Sequence, residues 1–224
     1  MEFDYESVER APDRHQTDWV VDKYFWCHRG RRGRSAVSEA GARISLRTDA
    51  PMQATAYWRA VTTDHAGFLD RIVATLSEAG VRYCVVGGQA VNAYVEPVVS
   101  LDLDIAVATE DLEATETLFR KHFKVTRFPH RVNASLSGSD LRVQLQTDPR
   151  YAAFVGRASV REVLGLSLPV AAVEDVLLGK VWAAQDPKRR PSKRQKDLAD
   201  ISRLLEAHPE LRPAVPHDVL ARLI

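Results

Sequence analysis

Asp102 and Asp104 stand two residues apart in Ser100-Leu101-Asp102-Leu103-Asp104-Ile105, about a dozen residues after Val85-Val86-Gly87-Gly88-Gln89-Ala90. On a strand, residues two apart point to the same face. Two carboxylates side by side repel each other unless a cation stands between them. A hard divalent metal beside phosphate oxygens, Mg²⁺ or Mn²⁺, is the usual cation. The glycines upstream allow backbone to approach those phosphates closely. A glycine pair alone and an Asp-x-Asp alone are weak signals; in this order and at this spacing they are more specific. A nucleoside triphosphate held on the turn would present its phosphates to metal bound by Asp102 and Asp104, and a nucleophile would attack the α-phosphorus as pyrophosphate departs. Gly87, Gly88 and Gln89 are therefore the candidate nucleotide contacts. Ser100 shares the face of Asp102 and can bond a phosphate oxygen or accept a nucleotidyl group, although a serine before a strand is commonplace.

A second set of residues lies near the C-terminus. Lys180 sits in the apolar run Leu177-Leu178-Gly179-Lys180-Val181-Trp182-Ala183. A lysine there either snorkels to water or has an anionic partner, and a triphosphate would be one. Asp197 and Asp200, three apart, share one side of a later helix. Asp197 can hold Lys180 in place or act as a base toward the acceptor, and plain helix–helix ion pairing explains the spacing equally well. Between them run Lys188, Arg189, Arg190, Lys193, Arg194 and Lys196. Arg189, Arg190, Lys193, Arg194 and Lys196 are the candidate contacts to nucleic-acid phosphates. No aromatics interleave with them, which argues against a stacking platform for single strands.

The elements that must position these residues can be read from periodicity. Phe68, Ile72, Val73 and Leu76 recur at helical spacing up to Gly80. An apolar strand is predicted at 81–86, a short helix at 89–94, and the aspartate strand at 101–107. Thr109 is a predicted N-cap for a helix from 110 to about 122. Extended segments are predicted near 125, at 131–136, 141–145 and 164–170, then helices at 173–184, 192–207 and 216–223. The expected architecture is α+β: a mixed β-sheet core over 52–170 flanked by helices, and a C-terminal helical region over 171–224. Residues 1–51 lack sustained periodicity and read as a poorly ordered extension. Its basic run at 28–34 reads as a solvated tail, with RNA contact and a natural start at Met52 as other readings. Cys27 and Cys84 have no metal or redox spacing.

Bulk properties narrow the class. Charged residues are 27% of the 224 and hydrophobic ones 45%, the balance of a globular protein, with a net charge of +1 that leaves nucleic-acid affinity to local patches. The acidic N-terminus does not resemble a signal peptide, and no stretch nears the roughly 18 apolar residues of a membrane helix. A cytoplasmic setting without membrane contact is the expectation.

Together these residues resemble the nucleotidyltransferase superfamily, and within it the AbiEii-type, or MenT-like, nucleotidyltransferase toxins of bacterial toxin–antitoxin systems. The resemblance covers about 64–207. It rests on Val86-Gly87-Gly88-Gln89-Ala90, Ser100-Leu101-Asp102-Leu103-Asp104, Lys180 in its apolar helix, and Lys196-Asp197-Leu198-Ala199-Asp200-Ile201. It implies a nucleotidyltransferase-like fold and an active site of Ser100, Asp102, Lys180 and Asp197. It also implies metal-dependent transfer of a nucleotide to the 3′ end of a tRNA, and a partner antitoxin. There is one departure. The superfamily often places a third carboxylate on a later strand, where Leu141, Val143 and Leu145 face the core and leave Arg142, Gln144 and Gln146 on the other side. An amide is a poorer ligand for a hard cation than a carboxylate. Two alternatives stay open: transfer to a small hydroxylated molecule, as in aminoglycoside-modifying relatives, and a non-catalytic relative that binds nucleotide or a partner.

Overall fold

The computed structural model describes Asp64 and residues 67–223. The extension at 1–51, its basic run, Cys27 and Met52 lie outside the described residues. Chain order begins with helix α1 (Phe68–Glu78), strand β1 (Tyr83–Val86), helix α2 (Gly87–Asn92) and strand β2 (Asp102–Val107). A 3₁₀ turn (Thr109–Asp111), helix α3 (Leu112–His122), and strands β3 (Lys124–Phe128), β4 (Arg131–Ser135) and β5 (Arg142–Gln146) follow. A 3₁₀ segment (Pro149–Arg157) leads to the hairpin β6 (Ser159–Val163) and β7 (Leu166–Val170). The chain then turns helical: α4 (Val173–Gln185), α5 (Pro191–Ala207), a 3₁₀ turn (Pro209–Ala214) and the short α6 (His217–Leu220). No helix among the described residues is long and apolar enough to cross a membrane.

The seven strands form one mixed sheet in the order β3-β4-β5-β2-β1-β7-β6. β2 occupies the centre, antiparallel to β1 and parallel to β5, while β7 runs parallel to β1. This central place explains its sequence. Leu103 is buried while Asp102 and Asp104 are only partly so; from Ile105 to Val107 every residue is buried. The first half of β2 thus has one open face and the second half is covered on both. Register sets Asp104 between Val86 of β1 and Gln144 of β5, and Asp102 beside Arg142.

One hydrophobic core joins the sheet to the helices after it: Val85, Ile105 and Leu145 belong to the same buried cluster as Leu177, Ile201 and Val219. Leu198, Ile201, Leu204 and Leu205 recur every three or four residues along α5, so one stripe of that helix is buried. At the other end, Phe68 of α1 and Phe119 of α3 each meet Phe123 edge-to-face. Full burial of such a side chain contributes about 1.5–3 kcal/mol.

Some local readings differ from the structure. Thr109 does not cap α3; it opens the 3₁₀ turn, and no side chain caps it. Helix α2 begins at Gly87 rather than Gln89, because Gly87 takes a positive φ (67°) that lets the chain turn directly from strand into helix. β6 escaped sequence reading because four of its five residues are exposed and show no alternation. It joins β7 through Leu164-Gly165, both at positive φ, as a type I′ hairpin turn requires. A leucine in that position gives no turn signal.

Candidate active site

The open half of β2 faces a cavity of about 550 Å³. The glycine turn, Ser100, Asp102 and Asp104 line one part; Gln144 and Gln146 of β5, Tyr151, and Lys180 and Asp197 of α4 and α5 line another. Arg142, Arg189, Arg190, Lys193 and Lys196 also stand on the wall, as do His130, Arg131 and Asn133. The structure therefore brings together residues that the sequence spreads over more than a hundred positions.

Gly87 shows why a glycine is needed. Its φ is in the left-handed region, and a Cβ there would lie 2.2 Å from Asp104 Oδ2 and 2.9 Å from Asp104 Cγ. Backbone and carboxylate pass too closely for any side chain. A Cβ on Gly88 would meet only Ser100 Oγ at 3.6 Å and Lys196 Nζ at 3.7 Å. Ser100 Oγ itself donates weakly to the Asp102 carbonyl at 3.4 Å.

The two aspartates have different surroundings. Asp102 Oδ1 lies 2.9 Å from Arg142 Nε, and Oδ2 is 3.9 Å from Lys193 Nζ. Asp104 is deeper, and its Oδ1 accepts a hydrogen bond from Gln146 Nε2 at 3.0 Å. Burial pushes the Asp104 carboxyl above its ordinary range; Lys180 opposes this and the Asp102 charge adds to it. A carboxylate so placed gains from a cation. The donor set suits one: two carboxylates and the amide oxygens of Gln144 and Gln146 are all hard oxygen ligands of the kind Mg²⁺ and Mn²⁺ take. No group of three or more His, Cys, Asp or Glu side chains placed to hold a metal occurs among the described residues. Protein ligands would have to be supplemented by water or phosphate oxygens, which is how Mg²⁺ is commonly bound.

Lys180 is buried, and its ammonium sits 2.6 Å from Asp200 Oδ2 and 3.1 Å from Asp197 Oδ1. Burial alone would lower its pKa, but Asp200 and Asp197 outweigh burial and hold it above the usual lysine value. The aspartates are held in turn. Arg189 donates to Asp197 Oδ2 at 2.8 Å, and Arg203 to Asp200 Oδ1 at 2.8 Å. Arg203 also reaches Asn92 Oδ1 and the carbonyl of Glu96. Three cations and two anions thus form one network from the cavity to the loop that carries Ser100.

Two expected site residues point elsewhere. Gln89 is buried and does not line the cavity; its amide donates to the Ser100 carbonyl at 2.8 Å and its oxygen accepts from Asn92. It braces the loop instead of meeting a nucleotide, because α2 turns that position inward. Arg194 is likewise absent from the cavity wall. Its guanidinium donates to the carbonyls of Asp186 and Pro187 at 2.7 and 3.3 Å, clamping the turn between α4 and α5. Arg189, Arg190, Lys193 and Lys196 do face the cavity.

Several participants were not singled out from sequence as site residues. Asp200 is the nearer partner of Lys180, and its i+3 spacing from Asp197 was the available signal. Arg142 and Gln146 announce themselves only through the alternation of β5. Tyr151 lies on the 3₁₀ segment, which has no strand or α-helical period; its ring packs over Gly179 and against Trp182 and Phe154. Burial, with the Asp104 charge next, pushes its hydroxyl up to about 12, so it stays a neutral donor.

No family model matches the chain, and no curated protein matches it. Among solved structures, the antibiotic-resistance factor ANT(2″)-Ia is similar at 16% identity, over 65% of this chain and 88% of that one, with a TM-score of 0.46. The lincosamide antibiotic adenylyltransferase LnuA, with lincomycin bound, is similar at 13% identity, over 64% and 99%, with a TM-score of 0.43. A tRNA-processing enzyme is similar at 17% identity, over 69% of this chain and 50% of that one, with a TM-score of 0.35.

Proposed function

We propose that the protein is a metal-dependent nucleotidyltransferase that moves a nucleotide from a nucleoside triphosphate to the 3′ end of a tRNA. We further infer that it acts as the toxin of a bacterial toxin–antitoxin pair, of the AbiEii or MenT-like kind, in the cytoplasm. The observation that carries the reaction is the single cavity in which a glycine turn, two strand aspartates and a buried lysine converge. In the reaction a tRNA hydroxyl oxygen forms a bond to the α-phosphorus and the bond to pyrophosphate breaks, the hydroxyl proton leaving with solvent or a base. Asp102 and Asp104 would hold Mg²⁺ or Mn²⁺, whose chemistry is to neutralise phosphate charge and orient the phosphates.

The chain's own residues divide the remaining work. Gly88 leaves room for phosphate beside Ser100 and Lys196, while Gly87 lets the Asp104 carboxylate pack against the turn. Lys180 keeps its charge through Asp197 and Asp200 and presents it at the cavity wall. Asp197 has both oxygens engaged, by Lys180 and Arg189, which supports a positioning role over a base toward the acceptor. Arg190, Lys193 and Lys196 supply cations along the same wall, and that concentration favours a polyanionic acceptor over a small hydroxylated one.

Incubation with each labelled triphosphate and total tRNA, with Mg²⁺ or Mn²⁺, tests this. Label is expected at tRNA 3′ ends, and Asp102→Asn or Lys180→Ala is expected to abolish both labelling and growth arrest. Label on small hydroxylated molecules alone would refute the tRNA acceptor. Growth arrest that persists in both variants would identify a binding module instead of an enzyme.

A further inference from the structure

The carboxylate oxygens at the base of the cavity can be counted, and the count bears on the proposed transfer, on which this inference rests. Of the four on Asp102 and Asp104, one accepts a side-chain hydrogen bond among the described residues, and a second, the buried Asp102 Oδ1, is ion-paired with Arg142 without a hydrogen bond. Arg142 Nε lies 2.9 Å from Asp102 Oδ1, and Gln146 donates to Asp104 Oδ1 at 3.0 Å. What is left is Asp102 Oδ2, which Lys193 approaches only to 3.9 Å, and Asp104 Oδ2 beneath Gly87. One oxygen from each aspartate can share one divalent ion, and no third carboxylate joins them among the described residues to hold another.

The neighbouring strand decides what stands beside them. β5 runs parallel to β2 with Arg142 in register with Asp102 and Gln144 in register with Asp104. Where a third carboxylate would create a second metal position, β5 provides a guanidinium and an amide. A guanidinium keeps its charge at any working pH and binds carboxylates through a rigid planar fork. Arg142 lines the cavity, so its charge is presented where phosphates would lie.

We propose that Arg142 takes the place of a second divalent cation. The site holds one metal ion, shared by Asp102 and Asp104, and the Arg142 guanidinium supplies the remaining positive charge beside Asp102. Such a built-in cation repels the metal it accompanies, so it sets metal affinity as well as stoichiometry. Its side chain is 56% exposed, so the repulsion is partly screened by solvent and salt.

The test is a Mn²⁺ titration of the full chain followed by the electron paramagnetic resonance signal of the free ion, with and without a non-hydrolysable nucleoside triphosphate. One Mn²⁺ per chain is expected in the triphosphate complex. Arg142→Gln is expected to tighten Mn²⁺ binding about fivefold without nucleotide, the scale of one partly exposed charge pair, and less in high salt. Arg142→Lys, which keeps the charge, should leave affinity near the wild-type value, and Arg142→Asp should admit a second ion. Two Mn²⁺ ions on the wild-type complex would overturn the proposal, as would an unchanged affinity in Arg142→Gln. If that variant fails to fold, the wild-type stoichiometry alone decides. Wild-type protein that binds no Mn²⁺ under either condition would refute the nucleotidyltransferase reading as well, whereas tRNA labelling with two bound ions would refute only the role of Arg142.

Discussion

Replacing Gly87 by alanine tests the link between the glycine turn and the carboxylates most directly. Two separate penalties fall on one methyl group. The left-handed backbone, at φ 67°, costs an L-residue about 1–2 kcal/mol. The added Cβ would also lie 2.2 Å from Asp104 Oδ2, 2.9 Å from its Cγ and 3.0 Å from its Cβ. Because Asp104 Cγ and Cβ crowd the position as well, a rotation of the carboxylate does not relieve the clash; strand β2 or the turn must move. Overpacking of a well-filled site costs about 1–3 kcal/mol. The sum is about 2–5 kcal/mol, to be read from urea unfolding midpoints at constant slope. The carboxylate that moves would also release Gln146, so Mn²⁺ affinity should fall with stability. A Gly87→Ala protein within about 0.5 kcal/mol of wild type, a change typical of an innocuous surface position, would show that Asp104 does not sit against the turn. Gly88→Ala is the internal control: its Cβ finds ordinary contact distances and no positive φ, so it should fold normally.

Lys180→Met removes the cation between two buried aspartates and should destabilise the fold by about 3–5 kcal/mol, at the lower end because Arg189 and Arg203 still engage Asp197 and Asp200; a loss under about 1 kcal/mol by urea unfolding, where an ordinary surface change falls, would show that the network is not closed. Alkaline stability should reveal Cys84, whose thiol is pushed from 9.0 up to about 12, burial being the main cause and the Asp175 charge the next. A raised folded-state pKa stabilises fully below the unfolded value and is lost as pH rises through the folded one. Stability should thus decline between about pH 9 and 12, and Cys84→Ala should flatten that limb in urea midpoints measured across the range.

The features legible in the sequence are those with a strong period or an anomalous residue. Asp102 and Asp104 had to share a face because a strand repeats every two residues, and the structure places both on the cavity. Lys180 stood out because a charge inside an apolar helical run demands a partner; its nearer partner, Asp200, could not be chosen over Asp197 without the rotation of α5. Gln89 shows the opposite case. A polar residue just behind a glycine turn reads as a ligand contact, yet α2 is six residues long and its phase is set by the turn, which carries Gln89 inward. Arg194 belonged to a uniform basic run, and nothing in such a run tells which member turns back to the backbone. β6 was invisible because an edge strand with exposed side chains has no buried face to write a pattern.

The loop from Ala93 to Leu101 is held by side chains made at very different times. Asn92 bonds both the amide and the carbonyl of Val98, and Gln89 holds the carbonyl of Ser100. Arg203, 111 positions after Asn92, grips the same loop from α5. A chain made from its N-terminus would display β1, α2 and β2 long before that arginine leaves the ribosome. Until then Asp102 and Asp104 would stand on a strand whose leading loop is only half fastened, and Lys180 would await both of its aspartates. The order of synthesis therefore keeps the site unassembled until nearly the whole described chain has been made.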